Sequence, residues 1–390
     1  MTTADARPAQ IGLARLARLV FEGADLKPLW SRLMDRATQD ATDASAAMDL
    51  ATLAILAGDR DGGLNLQAQT LERQRLFRRA AARPGGLRLL VLSAPGDMMA
   101  NTPLDFLLEG SDVELLTLYV TQDGALPDPL PEHDLAFLAV GESEANLPIL
   151  RALEPRLAAW PRPLLNADAR RISELTRDGV CALLEGAPDL LAPRAERMDR
   201  QALAAHAAFP VIARPIGSHA GAGLVKLDDA AAAAAYLAEQ PAEAFYLSPF
   251  VDYAGPDGLF RKQRIVLIDG RPFLCHHAVS PRWMVHYLNA DMLENPGNRA
   301  EEATMMQTFD DDFARRHRTA FEALQARIGL DYFGIDCGET PDGRLLVFEA
   351  DVAMIVHDMD PPDLFPYKKP QMRKVMDAFQ AMLRQAAARV

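Results

Sequence analysis

The chain has 390 residues, room for two or three domains of about 100–200 residues each, and 49% of them are hydrophobic. A formal net charge of −13 excludes binding nucleic acid through a broad basic stripe. Three cysteines (Cys181, Cys275, Cys337) lack metal spacing, no apolar run approaches the roughly 20 residues of a membrane span, and the start MTTADARPAQ lacks the basic lead and apolar centre of a signal peptide. The expectation is a soluble cytoplasmic protein with reduced thiols.

Residues 11–83 read as helices. Ile11, Leu13, Leu16, Leu19 and Val20 fall near helical spacing, and Leu29, Trp30, Leu33 and Met34 begin a second run. Ala46 to Ala57 is a third, stopping at the turn 58–63, and Leu64 to Arg79 is a fourth. The pair around that turn resembles a tetratricopeptide-like hairpin, although an array needs about three repeats. A cap packed on the body and a dock for a partner or peptide are the two readings. After the linker Arg83-Pro84-Gly85-Gly86, the runs Leu87–Ser93, Val113–Val120 and Asp134–Val140 read as buried strands. Helical patterns near Pro103–Leu108 and Ala145–Leu153 alternate with them, which predicts a parallel α/β layer. A ligand is expected at the carboxyl ends of its strands, near Ser93–Asn101 and Gly141–Asn146.

Asp168–Leu184 reads as one helix, broken after it by Pro188–Pro193. Phe209 to Leu227 reads strand, glycine-rich loop, strand: Arg214 lies on the first strand, and Gly217, Ser218, His219, Gly221 and Gly223 lie in the loop. Such a loop lets backbone N–H groups approach phosphates. It lacks the P-loop order, and no helix follows as a Rossmann turn requires. Asp228–Leu237 is an Asp-capped helix. Phe245–Val251 is an apolar strand ending in Asp252. Lys262–Ile268, the turn Asp269-Gly270 and Pro272–His277 form a hairpin, with at most one of His276 and His277 facing any site. Asp310–Gly329 reads as one amphipathic helix whose leading acids cap it.

Tyr332–Cys337 and Leu345–Ala350 flank the turn Pro341-Asp342-Gly343, a second hairpin signal. Glu349 and Asp351 are two apart and share one side of the pleat, and antiparallel pairing can bring Asp336 beside them. Three carboxylates together call for a cation, and oxygen-only ligands suit Mg²⁺ bridging nucleotide phosphates. Cys337 faces away from Asp336 and reads as a buried structural thiol. The tail Phe365–Lys369 reads as surface loop; the other reading is that it and His357, both following this hairpin, close over a product.

The ordered motifs IARPIGSHAGAGLVK, YLSPFVDY, KQRIVLIDGRP and GIDCGETPDGRLLVFEAD resemble those of the ATP-grasp superfamily, glutathione synthetase-like carboxylate–amine ligases among them. The resemblance covers roughly Leu87 to the C-terminus. It implies an ATP-grasp fold (167–390) preceded by a parallel α/β pre-ATP-grasp layer (87–166), with the helical module (1–83) in front. The implied activity is Mg-ATP-dependent amide or peptide bond formation through an acyl phosphate, on a small-molecule or peptide carboxylate and an amine. By position, Arg214 and Arg177 stand where the family has phosphate-contacting lysines, and the glycine loop covers the phosphates. Leu247 to Phe250 would hug adenine and Asp252 the ribose. Arg264 would face the transferring phosphoryl group. Arg282, His286 and Asn289 would touch substrate, and Asp336, Glu349 and Asp351 would hold Mg²⁺. Arginine for lysine at 214 and 177, and Asp351 where the family often has Asn, are departures; arginine binds phosphate bidentately rather than as a point charge. A non-catalytic ATP-binding scaffold or sensor that recruits a partner through its helices is the alternative, a phosphotransferase is a third, and a homodimer is a further expectation.

Overall fold

The computed structural model describes residues 8–40, 42–218 and 221–389, so His219 lies outside the described residues. Four helices come first: α1 (Leu13–Phe21), α2 (Lys27–Gln39), α3 (Ala44–Leu56) and α4 (Arg60–Arg73). Leu16, Leu29, Leu33, Ala46, Leu50 and Leu53 form their core. Asp43 and Asp59 cap α3 and α4 through the N–H groups of Ala46 and Gly62. Gly62 and Gly63 therefore lie inside α4 rather than in the turn. The fourth helical run also ends early, because Leu76–Arg79 is a strand, β1, pairing antiparallel with a later strand. Phe77 on it is buried against Ala44 and Met48 of α3, and the pairing with the later strand overrides the local pattern.

The α/β layer follows as β2 (Arg88–Ser93), α5 (Leu104–Leu107), β3 (Glu114–Tyr119), β4 (Leu135–Leu138), α6 (Leu147–Leu157) and β5 (Leu164–Leu165). The sheet order is β1-β3-β2-β4-β5, parallel except at the β1 edge. Leu89–Leu92 and Leu135–Leu138 are continuous apolar runs, buried on both faces as interior parallel strands are.

Next come α7 (Ala169–Ser173), α8 (Arg177–Leu184), β6 (Leu190–Leu191), β7 (Glu196–Asp199), α9 (Arg200–Ala204), β8 (Val211–Pro215), β9 (Val225–Leu227), α10 (Ala230–Glu239) and β10 (Ala244–Pro249). The single helix expected over 168–184 is two, since Thr176 leaves helical geometry and caps α8 at the Gly179 N–H, 3.0 Å away. Asp229 caps α10 as expected. The antiparallel sheet β7-β10-β8-β9 carries the glycine loop between β8 and β9.

The last unit comprises β11 (Phe260–Ile268), β12 (Arg271–Ser280), α11 (Pro296–Thr308), α12 (Phe313–Arg316), α13 (Arg318–Ile328), β13 (Tyr332–Glu339), β14 (Leu345–Asp351) and α14 (Lys368–Ala387). Its sheet order is β12-β11-β13-β14-β6. Asp269 and Gly270 have φ of +49° and +77°, the two left-handed residues that a tight hairpin turn requires. The fold class is thus α/β followed by α+β. The expected helix 310–329 is broken at His317, which is buried with its ring Nε2 3.0 Å from Glu339. Asp312 pairs with Arg316 instead of capping. Cys337 and Cys275 are buried free thiols. Among the described residues no helix is long and apolar enough to cross a membrane.

Two long-range anchors hold these units together. Asp49 on α3 accepts from the N–H of Ile11 (2.8 Å) and Gly12, and Asp105 on α5 accepts from that of Ala14 (3.0 Å), so α1 is capped by its neighbours. Arg18 on α1 then bonds Glu109 and Asp358, both at 2.6 Å, while Ala14 and Ala17 pack with Phe106, Ile355 and Met359. The helices thus cap the body at the strap that follows β14. The tail is no surface loop: Phe365 is 2% exposed and Lys368 3%. Lys368 Nζ reaches Glu302, itself 0% exposed, at 2.8 Å. Glu302 also accepts from the Tyr287 and Tyr367 hydroxyls (3.0 and 2.7 Å) and the His277 N–H (2.9 Å). Every lone pair of this buried carboxylate is used, which is what makes the burial tolerable.

Glu302→Ala should leave the buried Lys368 ammonium with only the Tyr287 hydroxyl and the more distant Asp360 carboxylate, at 3.7 Å. Urea unfolding should show a loss of about 3–5 kcal/mol, far more than an exposed Glu→Ala change.

Candidate active site

Strand register builds the centre. β13 and β14 pair so that Asp336 lies directly opposite Glu349 and Gly334 opposite Asp351, with a bulge just past Asp336. β11 runs on the other side of β13, placing Arg264 opposite Asp336, and it too is bulged, after Arg264. Such bulges re-aim side chains at sites. Lys262 and Arg264 are two apart on β11 and share a face. Both reach Asp336: Oδ1 accepts from Arg264 Nε at 2.8 Å, and Oδ2 from Arg264 Nη2 at 3.0 Å and Lys262 Nζ at 2.8 Å. Burial alone would raise the Asp336 carboxyl, but the two cations hold it well below the usual range. Arg264 also donates to the Ile355 carbonyl at 3.2 Å, tying the strap to the hairpin.

Glu349 and Asp351 are bonded differently. Glu349 accepts from Arg177, the first residue of α8, at 2.5 Å. Asp351 accepts from the Ala353 N–H at 2.9 Å. Burial, with Glu349 beside it, pushes the Asp351 carboxyl up to about 6. From the end of β4, burial and Asp351 push Glu142 up to about 7. Among the described residues no three His, Cys, Asp or Glu side chains stand together as one metal cage. Asp351 has no ion pair among the described residues and Glu349 has only Arg177, and their hard oxygen donors fit Mg²⁺, whereas Asp336 is committed to Lys262 and Arg264.

Arg214, at the base of the glycine loop, is a further cation close enough to feel Arg177 and Glu349. Arg214 on β8 donates to the Ser218 hydroxyl (3.2 Å) and to the Ser218 carbonyl. Burial, then the nearby Arg177, bring its pKa down to about 10. A guanidinium disfavoured by burial and by a second guanidinium nearby is a place that draws an anion. Gly217, Gly221 and Gly223 all have φ near +70°, which only glycine adopts freely, and Tyr236 fastens the loop base by donating to the Gly223 carbonyl at 2.8 Å.

The remaining predicted residues are dispersed around it. Leu247 is buried in the core of the glycine-loop sheet, so its side chain is not open to a ligand. Phe250 meets Trp283 edge-on at 5.7 Å, and Lys226 lies 4.4 Å over its ring. Asp252 is exposed and accepts from the Ala254 N–H at 3.0 Å. Arg282 is exposed and donates to the Asn289 carbonyl at 2.7 Å, while the Asn289 side chain accepts from the His286 N–H at 3.0 Å; here both shape their own loop. His276 meets Tyr287 with its ring tilted at 45°, centroids 4.7 Å apart, whereas His277 turns to Gln263 and Glu301. Lys262 and Glu142 received no role from the sequence. The Lys-x-Arg alternation on β11 was the available signal for the first; the second falls in the stretch Gly141–Asn146 where the parallel layer places a ligand, but nothing singled out the residue itself.

No protein-family model matches the chain, and no curated protein does. Solved structures do. An ATP-grasp RimK-domain protein of Sphaerobacter thermophilus is 16% identical over 76% of this chain and 99% of its own, with a TM-score of 0.42. The D-alanine–D-alanine ligase of Coxiella burnetii is 8% identical over 78% and 96%, with 0.46. That of Bacillus anthracis, complexed with ATP, is 11% identical over 78% and 98%, also with 0.46. At such identities and scores the likeness carries no argument about this chain's chemistry.

The raised carboxyls have a pH signature. Between its ordinary value of 4.5 and about 7, Glu142 binds more protons folded than unfolded, so stability falls as pH rises through that window. Urea unfolding at pH 5 and pH 8 should show wild type losing more stability than Glu142→Gln across the interval.

Proposed function

We propose that the chain is a carboxylate–amine ligase driven by Mg-ATP. The observation that carries the reading is the convergence of Arg177 and Arg214 at the Glu349 end of the acid hairpin, beside a glycine loop. A polyphosphate is the anion such a place suits, since it takes both guanidiniums and the loop N–H groups while its divalent cation takes the carboxylates.

The chain's own residues divide the work. Arg214 and the loop hold the β- and γ-phosphates, and the backbone of Leu247–Phe250 receives the adenine. Arg177 lets go of Glu349 to reach phosphate, freeing Glu349 for the cation. Magnesium, held by Glu349 and Asp351, would supply charge neutralisation between the phosphates. Arg264, fixed by Asp336, faces the transferring phosphoryl group. A substrate carboxylate oxygen bonds the γ-phosphorus and ADP leaves. The amine then attacks the acyl carbon, phosphate leaves, and an amide remains. The acyl phosphate is water-sensitive, so the loop must close first. The proposed substrates are a small-molecule or peptide carboxylate and an amine, with the helical module as dock if one is a peptide.

One observation favours the second reading, a nucleotide-binding scaffold without turnover: Asp336 is fully occupied by Lys262 and Arg264. Glu349→Ala separates the two. Under the ligase reading it lowers ADP formation by on the order of 100-fold or more while thermal stability moves little. Wild-type rates in that variant would remove the metal assignment. Arg214→Ala should raise the KM for ATP by on the order of tenfold.

A further inference from the structure

The carboxyl ends of β2 and β4 are built as a rigid frame. The Asn101 side chain exchanges two hydrogen bonds with the backbone of Ala94, at 2.7 and 2.8 Å. Buried Asn146 donates to the carbonyls of Ala100 (2.9 Å) and Gly141 (3.0 Å), and the Gly141 N–H donates to Ala100 at 2.9 Å. This frame is pressed against the segment that follows the acid hairpin: a Cβ on Gly141 would come 2.9 Å from that of Ala353. The next residue, Glu142, is therefore fixed at the seam between the α/β layer and the acid hairpin.

Glu142 is half-buried there and makes no hydrogen bond or ion pair to another described residue. The charges it feels are Asp351 and Asp178, which repel it, and Arg197 and Arg177, which attract it. Neither arginine is free. Arg197 forks onto Asp178 at 2.9 and 3.2 Å, and Arg177 is on Glu349 at 2.5 Å. A carboxylate held by the backbone beside a second carboxylate, with the local cations already spent, lacks a positive partner. A single metal ion is the poorer candidate, because among the described residues Glu142 does not stand in a group of three such donors that could cage one.

We infer that Glu142 is the recognition group for the amine substrate, which it holds as a primary ammonium ion at the seam between the α/β layer and the acid hairpin. The inference rests on the ligase reading and gives it an acceptor class: a primary amine, rather than a thiol, a hydroxyl or an N-acylated amine. Glu142 positions the nitrogen next to the phosphate-binding arginines, and the ammonium must lose a proton before it attacks.

The test uses the full chain with Mg²⁺ and a non-hydrolysable ATP analogue. Saturation-transfer NMR reports binding of a mixture of amino-acid amides and their N-acetylated forms to wild type and to Glu142→Gln; calorimetry reports nucleotide affinity in both. The expected result is that free-amine amides bind wild type, N-acetyl forms bind neither, and Glu142→Gln weakens the amides by at least about tenfold with nucleotide affinity unchanged. Equal amide binding in both proteins, or none to a wild type that binds nucleotide, would overturn the inference. So would Mn²⁺ alone binding wild type and not Glu142→Gln while the amides are unaffected. Nucleotide binding to neither protein would sink the ligase reading, yet Glu142-dependent amide binding would still establish the ammonium site.

Discussion

Asp336 and the two cations on β11 form the interaction on which the rest of the site depends. A carboxylate 2% exposed is tolerable only because Lys262 and Arg264 meet it with three charge-assisted bonds. Those bonds exist because β11 and β13 are neighbours in a register that puts Arg264 opposite Asp336. The same β13, paired on its other edge, sets Glu349 opposite Asp336. One strand thus fixes both the cationic wall and the anionic wall, and Arg264 passes the constraint on to Ile355 in the strap.

From the strap the constraint reaches the N-terminus. Arg18 grips Asp358, and Ile355 and Met359 pack against α1. The helical module is therefore a structural cap over the residues that follow Asp351, whatever else its outer face does. On the opposite side, the Glu302–Lys368 network ties β12, the 281–289 loop and α14 into one block.

Much of this was legible locally. The Asp-Gly and Pro-Asp-Gly turns fixed both hairpins, and period-2 alternation placed Glu349 and Asp351 on one side. The glycine loop between two short strands was equally plain, as were the three buried parallel strands. What stayed hidden depends on partners distant in sequence. Residues 76–79 look helical until β3 pairs with them. Lys368 looks like an exposed tail lysine until Glu302, 66 residues away, is found beneath it. Lys262 was visible as a basic residue, but not that it would share Asp336. Glu142 sits in an ordinary polar turn, and only the approach of Ala353 and Asp351 makes its charge unusual.

The central claim is that this site joins a carboxylate to an amine at the expense of ATP. The most direct measurement is mass spectrometry of the full chain incubated with Mg-ATP and the small-molecule and peptide fraction of a cell extract. The account predicts ADP together with a new product whose mass is that of two extract components less one water. Nucleotide that stays bound and intact with every fraction, or ADP accompanied only by a phosphorylated acceptor, would contradict it.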